Sequence, residues 1–302
     1  MSGDKILVTG GTGCIGEFAI NILANAGWEV HSTYQNNKCS YLKNINWHKT
    51  DLLSPGAPQE LINKIKPQYL LHIAWAPAHH WNGQYSSEQL AWARATLDLV
   101  QSFSASGGQK AVCVGSCAEY EWNKTRAITE LDNRKPQNIY GTVKSLTGEM
   151  LSAYSVEENF DLAWARIFFV YGGRENHSRL VPSIILKLLR DEPAETSTGA
   201  QVRDFLYAED IADALCSLLK SNITGPINIG SGQGTSVADM ARTIGELTNR
   251  PDLLRIGALP SNNDEISSII ADTSLLKKSG WSPKHSVREG LMKTISYWKK
   301  NI

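Results

Sequence analysis

Apolar residues in the first half of this chain fall in short unbroken runs instead of alternating with polar ones. Ile6-Leu7-Val8 lies within Lys5–Thr9, Leu70-Leu71 within Tyr69–Ile73, and Ala111-Val112-Cys113-Val114 follows Lys110. Strands read this way when both faces of a parallel sheet are covered. Glu29–Tyr34 predicts one more strand after the first. Between the strands, helices are predicted over Cys14–Ala26, ended by Gly27 as a C-cap, and over Glu88–Ser104 and Tyr140–Glu158. Alternating strand and helix imply a doubly wound parallel α/β sheet.

The second half is more mixed. It predicts a strand over Leu162–Phe169 and helices over Leu180–Arg190, Ala208–Leu219, Ser236–Thr248 and Val287–Lys299. The expected architecture is a Rossmann domain of residues 1–170 and about 204–232. A smaller C-terminal α/β substrate lobe, of 171–203 and about 233–302, would lie over the C-terminal edge of the sheet, where ligands bind in open α/β folds. No repeat, low-complexity tract or long linker interrupts the pattern.

Composition narrows the partners. Thirty Lys and Arg balance thirty Asp and Glu over 302 residues. Without a basic field, neither nucleic acid nor an anionic membrane is an expected partner. No apolar run is long enough to cross a bilayer, and Met1–Lys5 shows no signal-peptide pattern. Cys14, Cys39, Cys113, Cys117 and Cys216 are scattered without CxxC spacing, which argues for a reducing cytoplasm and against a metal site.

The first chemical signal is Thr9-Gly10-Gly11-Thr12-Gly13-Cys14-Ile15-Gly16, between the first strand and the first helix. Glycines let the backbone approach a pyrophosphate, and the helix start offers free N–H groups and the positive end of its dipole. A flexible turn without a ligand is the alternative, but the strand–loop–helix context favours a dinucleotide. The end of the second strand, Tyr34-Gln35-Asn36-Asn37-Lys38, lacks the acid that would hold a ribose 2′-hydroxyl. That favours NADP over NAD, with Lys38 near the 2′-phosphate, unless Lys38 is simply a solvated loop lysine. Asp51 follows a short apolar run, where it either sits beside the adenine or caps a helix. Ile73-Ala74-Trp75 ends the strand begun at Tyr69, and small Ala74 lets a cofactor come close.

The second signal is Tyr140-Gly141-Thr142-Val143-Lys144 at a helix start. Residues four apart share a helix face, so phenol and ammonium point into one space. A lysine and a cationic nicotinamide together lower a phenol's pKa; a drop of ~3 units corresponds to roughly 4 kcal/mol. The phenol then works as a general acid or base. Ser116, at the end of the Lys110 strand, can hydrogen-bond the same substrate oxygen.

In these motifs the chain resembles the extended short-chain dehydrogenases/reductases acting on nucleotide sugars. The T-G-G-T-G-x-I-G loop, Asp51-Leu52, Ser116 and Y-x-x-x-K match. So do Arg166–Gly172, Val202-Arg203-Asp204-Phe205, Asn228-Ile229-Gly230, Ala271-Asp272 and Gly280–Pro283, nearly the whole chain. The resemblance implies that Ser116, Tyr140 and Lys144 are catalytic and that Lys144 also holds the nicotinamide ribose. It implies that Cys14, Ile15, Asp51, Leu52, Ala74 and Phe168 line the cofactor, that Arg203 contacts a substrate pyrophosphate, and that Leu180-Val181-Pro182 borders the nucleotide. A salt bridge to Asp204 or Asp210 is the plainer role for Arg203. A homodimer through Glu88–Ser104 and Tyr140–Glu158 is implied too, with Leu90, Ala93, Leu97 and Phe103 as a seam.

Three positions depart from the family pattern. Phe169 replaces an asparagine, Ser261–Glu265 lacks a second phosphate-binding arginine, and Trp92 or Arg94 stands for an asparagine on the fourth helix. The family's dehydratases carry Asp–Glu, or at least Glu, after the catalytic Ser or Thr. Cys117 and Ala118 stand there, and strand alternation would turn Glu119 away. That leaves reduction of a nucleotide-linked 4-keto-6-deoxyhexose, as the resemblance to deoxyhexose synthases around Gln201–Phe205 suggests. A 4-epimerase that retains NAD is the alternative, and a non-catalytic dinucleotide sensor a remote one.

Overall fold

The computed structural model describes residues 3–76, 86–122, 126–261 and 267–302. A seven-stranded parallel sheet is built from β1 (Lys5–Thr9), β2 (Glu29–Tyr34), β3 (Ile45–Lys49), β4 (Tyr69–His72), β5 (Lys110–Ser116), β6 (Asp161–Ile167) and, late in the chain, Gly225–Ile229. It runs in the order Gly225–Ile229, β6, β5, β4, β1, β2, β3. The sequence reversal between β1 and β4 opens a crevice at their C-terminal ends, the usual ligand position of such sheets.

Helices α1 (Gly16–Asn25), α2 (Ala57–Ile65), α3 (Ser86–Ala105) and α4 (Ile139–Glu157) supply the crossovers. α2 was not anticipated from sequence, and β3 was marked only by the short apolar run before Asp51. The burial pattern of β3 has no fully buried position, as befits an edge strand, so its apolar signal is weak.

After β6 the chain leaves the sheet. β7 (Phe169–Tyr171), α5 (Leu180–Leu189), β8 (Ala194–Thr196), β9 (Val202–Arg203) and β10 (Phe205–Tyr207) follow. The expected single strand Leu162–Phe169 is thus two, divided at Phe168, and β7 pairs with β10 instead of the main sheet. The chain returns through α6 (Ala208–Lys220), packed on α1, and β11 (Gly225–Ile229). It ends with β12 (Thr235–Ser236), α7 (Val237–Leu247), β13 (Leu254–Ile256), β14 (Ser268–Ile269), α8 (Ser274–Lys277) and α9 (Val287–Lys299). One apolar cluster covers each face of the large sheet, and a third joins α5, α7 and α9. No helix among the described residues is long and apolar enough to cross a membrane.

Candidate active site

The glycine loop runs from β1 into α1. Gly10 has φ +74°, which a side chain would strain, and a Cβ there would stand 2.9 Å from the Ala74 amide nitrogen. A Cβ on Gly16 would strike the Gly10 carbonyl, while Gly13 donates its N–H to that carbonyl at 3.0 Å. No side chain caps the start of α1, and although the Glu17 amide is taken by the Gly13 carbonyl at 3.2 Å, the positive end of the helix dipole is left uncapped.

A buried histidine holds the loop's neighbours. His72 Nδ1 lies 2.7 Å from Thr9 Oγ1, His72 Nε2 lies 2.9 Å from Thr96 Oγ1, and Thr9 Oγ1 accepts the Ala74 amide at 3.3 Å. Burial and the nearby Lys144 push His72 down to about 3, so it stays neutral. No motif pointed to this residue; its one signal in the sequence was a histidine inside an apolar strand.

Beyond β2, Gln35, Asn36, Asn37 and Lys38 are exposed and Tyr34 is half-buried. Asp51 is exposed too. Its carboxylate accepts from Leu53 N–H at 3.1 Å, Ser54 Oγ at 3.2 Å and Gln35 Nε2 at 3.1 Å, which joins it to the end of β2. Leu52 is buried in the core beneath.

A cavity of about 250 Å³ gathers Ile15, Ile73, Trp75, Ser116, Tyr140, Lys144 and Phe168. Ser116 ends β5, its hydroxyl accepts the Ala118 amide at 3.2 Å, and it is hydrogen-bonded to the Tyr140 phenol. Tyr140 and Lys144 come from the first two turns of α4, whose start is capped by Asn138. Lys144 is buried and donates from Nζ to the Val114 carbonyl at 2.7 Å, with Nζ 3.6 Å from the centre of the Trp75 ring. That ring is fixed by a 2.7 Å bond from Nε1 to Gln89 Oε1 and by stacking on Trp92 at 6.3 Å. Of the two residues weighed for the missing asparagine, Trp92 therefore backs the site and Arg94 faces solvent.

The electrostatics differ from the simplest reading of the Tyr–Lys pair. Burial pushes Tyr140 up to about 12, against the lowering effect of the Ser116 hydrogen bond. Burial also pushes Lys144 down to about 7, against the charges of Glu119 and Cys113. In the protein alone, then, the phenol is proton-loaded at neutral pH.

Glu119 does turn away, but not through strand alternation. The strand stops at Ser116, and Cys117–Glu119 form a 3₁₀ turn. The Glu119 carboxylate accepts from Ser116 N–H at 2.8 Å, Trp164 Nε1 at 2.9 Å and Arg166 Nε at 2.8 Å. Arg166 continues to the Tyr120 hydroxyl, and that to Asn228. Fully engaged and wholly buried, Glu119 braces the strand end that carries Ser116.

A second cavity, about 460 Å³, is lined by Val181, Gln201 and Arg203 among others; Phe169, Val170, Glu175 and Arg179 line both cavities. Arg203 donates from Nη1 to the Val202 carbonyl at 2.9 Å, and its guanidinium carbon stands 5.6 Å from the centre of the Phe169 ring. Where the family has an asparagine, this chain therefore has an aromatic shelf for the arginine. The Asp204 carboxylate accepts from Ser231, Gly232 and Ala271, and Asp210 from Lys284 and His285, so both acids serve other groups. Of the neighbouring arginines, Arg179 faces the cavities, whereas Arg174 is paired with Glu17 and Tyr41. The stretch without a second arginine, residues 262–265, lies outside the described residues.

The family model described as NAD dependent epimerase/dehydratase family matches residues 6–230. UDP-glucuronic acid decarboxylase 1 of Xenopus tropicalis is 26% identical, over 99% of this chain and 73% of that protein. GDP-L-fucose synthase 1 of Arabidopsis thaliana is 24% identical, over 99% of this chain and 94% of that one. Among solved structures, UDP-glucose 4-epimerase of Thermotoga maritima with UDP-glucose superposes with a TM-score of 0.88, covering 98% of this chain and 99% of that one at 24% identity.

Proposed function

The chain belongs to the NAD dependent epimerase/dehydratase family, and from that premise we propose that it uses NADPH to reduce C4 of a nucleotide-linked 4-keto-6-deoxyhexose. The observation that carries the reducing direction is the acid-free, exposed segment Gln35–Lys38 at the end of β2. A carboxylate there would repel a 2′-phosphate, and a lysine attracts one. Cys117 and Ala118 offer no carboxylate for elimination, and Glu119 is engaged elsewhere.

The glycine loop with Cys14 and Ile15, the Ile73–Trp75 strand end, Phe168, Asp51 and Leu52 would hold the dinucleotide, which supplies hydride when bound. Ser116 orients the substrate C4 oxygen, Tyr140 donates a proton to it, and Lys144 holds the nicotinamide ribose. Arg203 and Val181 receive the pyrophosphate and the nucleoside on the smaller lobe. Consumption of NADPH with nucleotide-linked 4-keto-6-deoxy sugars tests this reading. Tight NAD carried through purification, with interconversion of 4-epimers and no net cofactor use, would establish the epimerase instead.

Lys38→Ala is expected to raise KM for NADPH and leave that for NADH almost unchanged, read from steady-state rates with each cofactor varied. Equal losses on both would remove Lys38 from the phosphate site.

The assembly we propose is a homodimer through α3 and α4. Phe103 drops out of the expected seam: it is wholly buried and packs edge-on against Phe160. Leu90 on α3 and Leu146 and Met150 on α4 are instead exposed, at 59%, 53% and 48%. Light scattering at micromolar concentration should give twice the chain mass of 33.3 kDa; a monomer mass would refute the dimer.

A further inference from the structure

One carboxylate faces both cavities, and the mechanism above leaves it unused. Glu175 lies on the loop between β7 and α5, and its side chain is 9% exposed. Among the described residues it is the only acid lining either cavity. Its Oε1 accepts a long 3.4 Å bond from Arg179 Nε, and its Oε2 is buried with no hydrogen-bond partner among the described residues. A buried carboxylate oxygen left unfilled is costly, and the cost is relieved when a ligand donates to it.

Phe169, Val170, Glu175 and Arg179 form the junction between the cavity of Tyr140 and the cavity of Arg203. On the proposed function, the reacting carbon lies in the first cavity and the pyrophosphate in the second, so the sugar spans that junction. We propose that Glu175 is a specificity residue: its Oε2 accepts a hydroxyl of the sugar, and its charge, balanced by Arg179, admits neutral sugar rings and rejects rings that carry a carboxylate. A ring carboxylate would meet a like charge, and Arg179, the cation at that junction, is already engaged by Glu175. Removing the charge of Glu175 would release Arg179 to such a carboxylate, so selectivity should move in two ways at once.

Burial pushes Glu175 up to about 7 from its ordinary 4.5, with Arg179 and the backbone amide of Gly172 opposing. Cys14 faces it from the glycine loop, with the Glu17–Arg174 pair near that cysteine; Arg203 lies across the second cavity, and Lys144 and Tyr140 across the first. A raised folded pKa gives stability that is present below the ordinary value and lost as pH rises through the raised one. The loss should therefore fall between about pH 4.5 and about pH 7.

This inference rests on the nucleotide-sugar reading, and the experiment separates the two. UDP, dTDP, GDP and CDP are first titrated alone into wild type and Glu175→Gln, each with saturating NADPH. The glucose and glucuronic-acid conjugates of the tightest binder are then compared by calorimetry at about pH 8, above the raised pKa of Glu175, where its carboxylate carries its charge. Wild type should prefer the glucose conjugate. Glu175→Gln should shift the affinity ratio toward the glucuronic-acid conjugate by about 10-fold or more, the scale of one hydrogen bond to a charged group, with both conjugates referred to the affinity of the same variant for the diphosphate alone. Melting curves of the same variant show that it folds, and its advantage in Tm over wild type should grow from pH 5 to pH 8. An unchanged ratio, a wild-type preference for the uronate, or a Tm difference flat with pH overturns the role of Glu175 alone. If no nucleoside diphosphate binds wild type, the nucleotide-sugar reading falls and this inference with it.

Discussion

Tyr140→Phe is expected to lower kcat by ~100-fold or more, the usual contribution of a positioned general acid, while the affinity for NADPH stays nearly constant. The substitution removes one oxygen and keeps the ring, so packing at the start of α4 is preserved. The phenol is hydrogen-bonded to Ser116 and is pushed up to about 12 by burial, which keeps its proton in place at neutral pH. Its loss leaves the developing alkoxide with Ser116 but without a proton donor. Single-turnover and steady-state rates with a 4-keto sugar nucleotide, alongside cofactor titration, check this. Retention of more than about a tenth of kcat would mean that proton transfer lies elsewhere.

Arg203→Ala should weaken substrate kcat/KM by roughly 10- to 150-fold, since a hydrogen bond to a charged group is worth ~1.5–3 kcal/mol. The chain has no net charge to attract a pyrophosphate diffusely, so a local cation must do it. Arg203 stands beside Val181 and Gln201 on the wall of the second cavity, seated on Phe169, and the neighbouring Asp204 is engaged by Ser231, Gly232 and Ala271. Its strand β9 is held between β12 and β14, so the truncation should leave the fold intact. The dinucleotide would lie against the glycine loop, away from this wall, so affinity for NADPH should hardly move. Kinetics with substrate and cofactor varied separately decide the matter. A loss in cofactor affinity, or undiminished turnover of a free sugar, would refute the assignment.

The parts of the site written in local sequence were the easiest to read. Fold class followed from unbroken apolar runs, because a strand covered on both faces must be apolar throughout. The glycine loop was legible because its requirement is local: Gly10 needs a positive φ and a close approach to Ala74. Tyr140 and Lys144 were legible as a pair because helical periodicity places i and i+4 on one face. Strand β3 left only a short apolar run because an edge strand need not be apolar, and the β6–β7 boundary escaped because the apolar run continues through Phe168 while the backbone changes sheet.

Local sequence thus dictated the alternation of strand and helix in the first half, the strand–glycine–helix turn and the candidate triad of Ser116, Tyr140 and Lys144. Which neighbours act on those groups was settled by the folded chain alone. Folding put the Trp75 ring on Lys144, drew Glu119 into the Arg166 network, and left Glu175 with an unfilled oxygen between two cavities. The physical reason is range. Turn geometry and helix periodicity act over a few residues, whereas desolvation and charge act through space. They act on groups that the chain brings together from far apart, as Trp75 and Lys144, or Glu119 and Arg166, are brought together here.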